Sequence, residues 1–349
     1  RELTILTGHE ARVCCAEFSP SGDLIASATS GGDAFVWSAT GRRVATLSGH
    51  TGSVNTAAFS PTGDRVLTAS EDGTARIWST GGEALVTLRG HRGEVRSAVF
   101  SSDGAGILTA SSDGTARLWD VAAREEALIL AHTDEVESVT FSPDGGVLLS
   151  ASDDRTFRFT RLDVRGFEQI RVHSGIVTDA TYSPSGDWVA TASWDGTAQL
   201  VDCRRRNLLM PTVLAGHEGG LWSVAFSPSG DLVLTASEDG TARLFDLEGK
   251  TLAVLRHEGN VWSSAFSPAG DRMLTACADG NAYLWDEAGM PLATLSGHGG
   301  PVVAAAFSPA GDRIATASWD GTARLWSWEG REVAVLAGHG GEVESVAFD

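Results

Sequence analysis

Lysine is almost missing from this chain. Of 26 lysine and arginine residues only Lys250 is a lysine, and against 45 acidic residues the formal net charge is −19. So acidic a surface lacks the basic stripe that nucleic-acid phosphates require, so no nucleic acid is expected as a partner. Its first effect is solubility, and it leaves room for a basic partner. Cysteine is sparse as well. Cys14, Cys15, Cys203 and Cys277 have neither metal-ligand nor disulfide spacing, which points to structural thiols in a reducing, cytoplasmic setting. No apolar run approaches the roughly 18–20 residues that cross a bilayer, and no stretch has the pattern of a secretory leader. No membrane partner is expected. Residue 1 is Arg rather than Met, which reads as a processed or excised piece.

What the chain has is one stretch, many times over. Gly49 to Trp78 reads GHTGSVNTAAFSPTGDRVLTASEDGTARIW. Val54–Phe59 alternates, Ser60-Pro61-Thr62-Gly63-Asp64 is a turn cluster, and Arg65–Ser70 alternates again. Asp72-Gly73 is a tight hairpin turn before a third strand, Thr74–Trp78, and Glu83–Leu88 supplies a fourth. The copies can be counted from histidine alone. The nine histidines stand at 9, 50, 91, 132, 173, 217, 257, 298 and 339, each just ahead of an alternating strand, with spacings of 40 to 44 residues. Four strands at a period near 41 describe a radial β-propeller, so the fold class is all-β, with eight blades of four antiparallel strands around a central channel.

An unbroken repeat argues for a single domain over 1–349, with units near 9–49, 50–90, 91–131, 132–172, 173–216, 217–256, 257–297 and 298–336, and a partial ninth at 337–349. Some copies are worn. Gly31-Gly32 stands where the second copy has Asp72-Gly73; Arg155 replaces the turn glycine of copy four; Thr160 and Val201 fall where Trp belongs. Each end carries a surplus strand. Leu3–Leu6 and Glu332–Leu336 both read as outer strands suited to the eighth blade, and only one can pair there. The local one, Glu332–Leu336, is expected to complete it. Val343–Phe348 supplies only the first strand of a ninth blade, and one or both end strands are expected to be displaced or to pair with another molecule.

His50, Ser70, Asp72 and Trp78 contain the residue types of a hydrolytic triad. The set recurs, as His91, Ser111, Asp113 and Trp119 and as His298, Ser318, Asp320 and Trp326, whereas a triad occurs once per fold. No catalytic residue, metal ligand or cofactor is therefore assigned. Arg76, Arg117, Arg158, Arg243 and Arg324 recur on the third strands, where a solvated or cross-strand ion-paired role is expected.

The Gly-His opening, the Ser-x-Asp-Gly turn and the closing Trp-Asp or Trp-Ser resemble the WD-repeat β-propeller family over essentially all 349 residues. The resemblance implies that each His, Ser, Asp and Trp set forms a structural hydrogen-bonded network, in which Asp accepts from the imidazole and His bonds Ser. It also implies three variable top-face positions per blade: either side of the first strand's leading apolar residue, and just before the turn Asp. Those positions hold Trp194, Trp222, Trp262 and Trp319 in the last half of the chain, and Glu135, Glu137 and Asp153 in the fourth blade with Glu94 beside them. An aromatic arc facing an acidic arc suits a peptide bearing Arg or Lys. The function expected is a non-catalytic protein- or peptide-interaction scaffold or sensor. By resemblance it is a bacterial version within a larger chain, and the arginine-for-lysine bias agrees with a GC-rich genome. An enzyme using the central channel, hydrolase-like, and a purely architectural repeat domain are the alternative readings.

Overall fold

The computed structural model describes residues 6–122, 125–161, 167–170, 173–204, 211–338 and 341–348. Each repeat becomes a four-stranded antiparallel meander whose strand order follows the chain, and there are eight such sheets, or blades. In blade two the strands are Val54–Phe59, Arg65–Ser70, Thr74–Ser79 and Ala84–Arg89, called first to fourth here and in the other blades. The described residues contain no helix.

The side chains of the second strand explain why blades stack. Val66, Thr68 and Ser70 point to one face and Leu67 and Ala69 to the other, and all five are buried. A strand buried on both faces needs a layer on either side of it. Val54, Phe59, Val66 and Trp78 pack on Ala26, Ala28 and Ala34 of blade one. On the opposite face Leu67, Ala69 and Ile77 meet Val95, Ile107 and Trp119 of blade three. Small residues on one sheet and large ones on the next let the layers interdigitate without voids.

The chain falls into two compact units, blades one to four and blades five to eight. In the first, the stacking continues through Leu108 and Ala110 against Val136, Val139 and Leu148. In the second, Ala190 and Ala192 of blade five pack on Leu221, Val224 and Phe245 of blade six. Leu234 and Ala236 meet Val261 and Trp285, and Leu274 and Ala276 meet Val302 and Trp326. The worn copies keep the packing. Val201 is buried where Trp stands in other copies. The side chain of Thr160, at the same place in copy four, lies outside the described residues.

Two irregularities recur and place side chains where regular strands would not. In blade two Val54 faces Ser70 but Thr56 faces Ala69, so Asn55 bulges out of the ladder. The corresponding bulge residue is Arg96 in blade three, Glu137 in blade four, Trp222 in blade six and Trp262 in blade seven. A bulge re-aims its side chain, and here it does so at an expected top-face position. A second bulge in the fourth strand leaves one apolar residue exposed in several blades: Val44, Leu85, Leu252, Leu292 and Val333.

Glu332–Leu336 pairs with Ala323–Ser327 as the fourth strand of blade eight. The strand expected at Leu3–Leu6 lies outside the described residues except for Leu6, which is in no strand; His339 lies outside them too. The strand expected over Val343–Phe348 is not formed, because a first strand needs a second to pair with and none of the described residues pairs with this segment. Val343 is nonetheless buried. Its N–H donates to Ser318 O at 3.0 Å, and it packs on Ala317 and Ala323, the seat Val302 takes on Ala276 and Ala282 one blade earlier.

The turn between second and third strands requires a left-handed residue. Gly73 has φ +78, and a Cβ there would come within 3.2 Å of Gly93 O. Copy four places the exposed Arg155 at that position with φ 69. Arg155→Gly should therefore raise stability by about 0.5–1 kcal/mol, read as a higher urea midpoint. An unchanged or lower midpoint would show that this turn carries no strain.

Candidate functional site

In blade two His50 enters from the loop after blade one's fourth strand and meets side chains on the second and third strands. Its Nδ1 lies 2.9 Å from Asp72 Oδ2 and its Nε2 lies 2.8 Å from Thr68 Oγ1. Trp78 Nε1–H donates to the same Thr68 hydroxyl at 2.8 Å. These contacts fix one proton arrangement. The carboxylate can only accept, so Nδ1 carries the hydrogen; Nε2 then accepts from the Thr68 hydroxyl, whose oxygen accepts from the indole. The hydroxyl expected here was that of Ser70, and the structure corrects it. Thr68 sits two residues earlier on the same strand face, in reach of both the imidazole and the indole. Ser70 Oγ instead donates to Gly52 O at 3.1 Å and accepts from Asp72 N–H at 3.1 Å, closing the turn.

The same substitution of Thr for Ser holds elsewhere. His91 meets Asp113 at 3.1 Å and Thr109 at 2.7 Å, with Trp119 on Thr109 at 2.9 Å, while Ser111 accepts from Asp113 N–H. His298 meets Asp320 at 3.0 Å and Thr316 at 2.8 Å, with Trp326 on Thr316 at 2.9 Å; Ser318 bonds Gly300 O and Asp320 N–H. The signal was legible: Thr-Ala-Ser recurs as a unit at 68–70, 109–111 and 316–318, and alternation puts its two hydroxyls on one face.

Blade seven is wired differently. Tyr283 stands where blades two, three, four, six and eight have Arg, and its hydroxyl donates to Asp279 at 2.6 Å. His257 keeps Thr275 at 2.8 Å, but its buried Nδ1 has no partner. The residue before His257 is Arg256 rather than Gly. A Cβ at Gly49 would lie 2.5 Å from Arg76 Nη1, and one at Gly216 would lie 2.5 Å from Arg243 Nη1. In blades two, six and eight the glycine of the Gly-His opening is thus where the third-strand arginine lies. These arginines are not solvated as expected. Arg76 lies against Trp78, 5.8 Å from the ring centroid, and the Nε atoms of Arg76, Arg243 and Arg324 are buried without a hydrogen bond. Arg324 does form a cross-strand ion pair, with Glu332.

The variable positions form one patch in each unit. In the second unit the four tryptophans touch in series. Ring centroids are 5.6 Å apart for Trp194 and Trp222, 4.6 Å for Trp222 and Trp262, and 5.8 Å for Trp262 and Trp319. The outer members are open, Trp194 at 50% and Trp319 at 41% exposure. The inner pair is half-buried, and both indole N–H groups are buried without a partner. Each such donor costs on the order of 1–3 kcal/mol. In the first unit the carboxylates of Glu135, Glu137 and Asp153 converge within 4.8 Å. Sequence reasoning missed Arg96, the bulge residue of blade three. It ion-pairs with Glu135 and, at 3.3 Å from Nε, with Glu137, while Glu94 adds its charge nearby. Burial first, and then the crowding of like charge, holds Glu137 and Asp153 above the ordinary carboxylate range. The arrangement can hold a cation, and the chain's own guanidinium supplies one.

The family model described as WD domain, G-beta repeat matches eight stretches, residues 1–38, 41–79, 82–120, 125–159, 167–202, 210–246, 249–286 and 289–327. The chain belongs to the WD-repeat family. Its fold is the eight-bladed β-propeller of that family. Among solved structures, the computationally designed Ika8 protein (crystal packing No. 1 in P63) is similar with a TM-score of 0.73 at 25% identity, covering 93% of this chain and 99% of that one. No curated protein matches the chain. The matched stretch 41–79 starts just ahead of the fourth strand of blade one and ends on the third strand of blade two, so a WD repeat of sequence straddles two blades of structure.

The network of a WD repeat has a definite charge state. Burial holds His50, His132, His173, His217 and His298 below the ordinary imidazole value against the pull of their aspartates, and takes His257 down to about 4. Burial alone would raise Asp72, but hydrogen bonds from Thr74, His50 and Thr51 outweigh it and hold the carboxyl at about 2. Asp113 and Asp239 lie at about 2 by the same balance. In the unfolded chain the imidazoles protonate near 6.5, while in the folded one they resist. The histidine contribution to stability is therefore complete above about pH 6.5 and falls as pH drops, with His257 alone removing about 2 kcal/mol by pH 5. The buried carboxyl of Asp179, pushed up to about 6, returns part of that loss as it protonates. The aspartates extend the loss from about pH 4 downward. Urea midpoints between pH 7 and pH 5 should fall accordingly, and a flat profile would contradict neutral buried histidines. The corrected wiring makes a second prediction. Thr68→Val, which strands an indole N–H and an imidazole nitrogen, should cost about 2–3 kcal/mol, and Ser70→Ala about 1. The reverse order in denaturant midpoints would restore Ser70 to the centre of the network.

Proposed function

We propose that this WD-repeat chain is a non-catalytic interaction module that docks a peptide segment of basic character on the tryptophan face of blades five to eight. WD repeats generally serve as scaffolds for protein interactions. The observation that carries the reading is the contiguous series Trp194, Trp222, Trp262 and Trp319, half-buried at its centre and open at both ends. Tryptophan dominates the binding energy of protein interfaces when clustered and desolvated. The basic character follows from charge. The chain is strongly acidic, and the variable positions around the series, Thr178, Glu238, Asn260 and Ala278, include a carboxylate and no cation. The acids of blade four are a weaker receptor than their composition promises, because Arg96 already occupies Glu135 and Glu137. A non-catalytic role is supported by the networks themselves: the His50 side chain is 0% exposed and spends both nitrogens on Asp72 and Thr68. Self-association belongs to the same proposal, since the segment 342–348 lies on blade eight outside any ladder and could pair with a strand of a second molecule.

The test is selection of peptides from a random displayed library on the intact chain. Selected sequences should be rich in basic residues and lose affinity as salt is raised. Their binding should fall about tenfold or more in the Trp222→Ala, Trp262→Ala double variant. Peptides that bind the double variant as well as the parent would overturn the tryptophan face as the docking surface.

A further inference from the structure

The tryptophan series has a carboxylate fixed at one end. Glu238 precedes the turn Asp of blade six, as Trp194 does in blade five. Its backbone N–H donates to Gly220 O at 3.0 Å, and its Oε1 accepts from Gly220 N–H at 2.9 Å. Both ends of the residue are therefore held by one residue, Gly220, and Oε2 is left over. Gly220 also brings the carboxylate to the aromatic surface. A Cβ there would lie 2.8 Å from Glu238 Oε1 and 3.2 Å from Trp194 Cδ1, so only glycine lets the two approach so closely. Trp194 is half-exposed and meets Trp222 edge-on at an interplanar angle of 74°, which leaves an indole face open beside the carboxylate.

We infer that Glu238, Trp194 and Trp222 form a seat for one arginine side chain of the docked peptide, a deepening that rests on the interaction reading above. A planar guanidinium can stack on an indole while donating to a carboxylate at its edge, and it loses less hydration in doing so than an ammonium. The chain shows both halves of this chemistry on its own arginines. Arg272 stacks on Trp328 with its guanidinium carbon 3.9 Å from the ring centroid and donates to Trp328 O at 2.7 Å. Arg96 sits between Glu135 and Glu137. At Glu238 the indole and the carboxylate are both in place, and among the described residues no arginine pairs with that carboxylate.

The experiment is fluorine NMR of the intact chain labelled with 5-fluorotryptophan, with the Trp194 and Trp222 signals assigned by Trp→Phe variants. Titration with N-acetyl-arginine amide should shift both signals, while the neutral isostere N-acetyl-citrulline amide should not. Glu238→Gln, which keeps the shape and the fold, should weaken the arginine response about fivefold or more. Equal response to citrulline, or a Glu238→Gln chain that responds like the parent, would overturn the seat. The two proposals fail separately. Library peptides that need Trp222 and Trp262 but show no arginine requirement would leave the interaction face standing and remove the seat. A citrulline-insensitive, Glu238-dependent arginine shift with no Trp222- and Trp262-dependent peptide would keep the seat and remove the face.

Discussion

The hydroxyl of Thr68 is the point on which each regular blade of this protein turns. It is fully buried, it accepts from an indole, and it donates to an imidazole. Because one oxygen serves both neighbours, the imidazole has a single allowed tautomer, and its remaining N–H must face the carboxylate of Asp72. That carboxylate in turn gathers the N–H groups of Thr51 and Thr74, which hold the incoming loop and the hairpin turn. A buried chain of this kind is cheap only when complete, since each member left alone carries its full desolvation cost. The loop, the turn and the third strand are consequently ordered together.

A frame held together in this way leaves the bulge of the first strand free to vary. The bulged residue is outside the ladder, so it can be Asn55, Arg96, Glu137, Trp222 or Trp262 without disturbing the sheet. Four of them reach toward the following blade: Asn55 to Val95 O at 3.0 Å, Arg96 to Glu137, Trp222 to Trp262 and Trp262 to Trp319. Neighbouring bulge residues therefore assemble into continuous surfaces, one ionic and one aromatic, from positions 40 or 41 residues apart in the chain. The aromatic surface leaves two adjacent buried indole donors unsatisfied, a local break of consistency of the kind that collects at functional sites.

Much of the architecture could be read from the sequence because it is periodic. Nine histidines at near-constant spacing, with turn clusters in step, specify blades, strand order and the pairing of Glu332–Leu336 without any long-range information. What could not be read is where side chains on one face compete for a partner. Ser70 and Thr68 both point toward His50, and only the three-dimensional depth of the imidazole decides for Thr68. Arg96 was invisible for another reason: its position was known to be variable, but its contact lies one blade away, and a strand's composition does not say which neighbour its bulge meets. Glu238 was missed because its importance depends on Gly220, a residue whose contribution is the absence of a side chain. The segment after His339 was read as a strand from its alternation, which gives the face that is buried, as Val343 confirms, but not the presence of a pairing partner.

The one-strand offset between repeat and blade has a mechanical side. A matched repeat such as 41–79 ends one sheet and begins the next, so neighbouring blades share a continuous stretch of chain whose two parts are hydrogen-bonded to different sheets. No blade in a unit can peel away as a closed piece. Freeing the first three strands of blade two drags on the outer strand of blade one, and the Gly49–His50 junction between them is clamped under Arg76 and pinned by Asp72 and Thr68. Under tension the stack behaves like overlapping shingles, in which the course above nails down the one below, and rupture travels along the overlap instead of between the tiles.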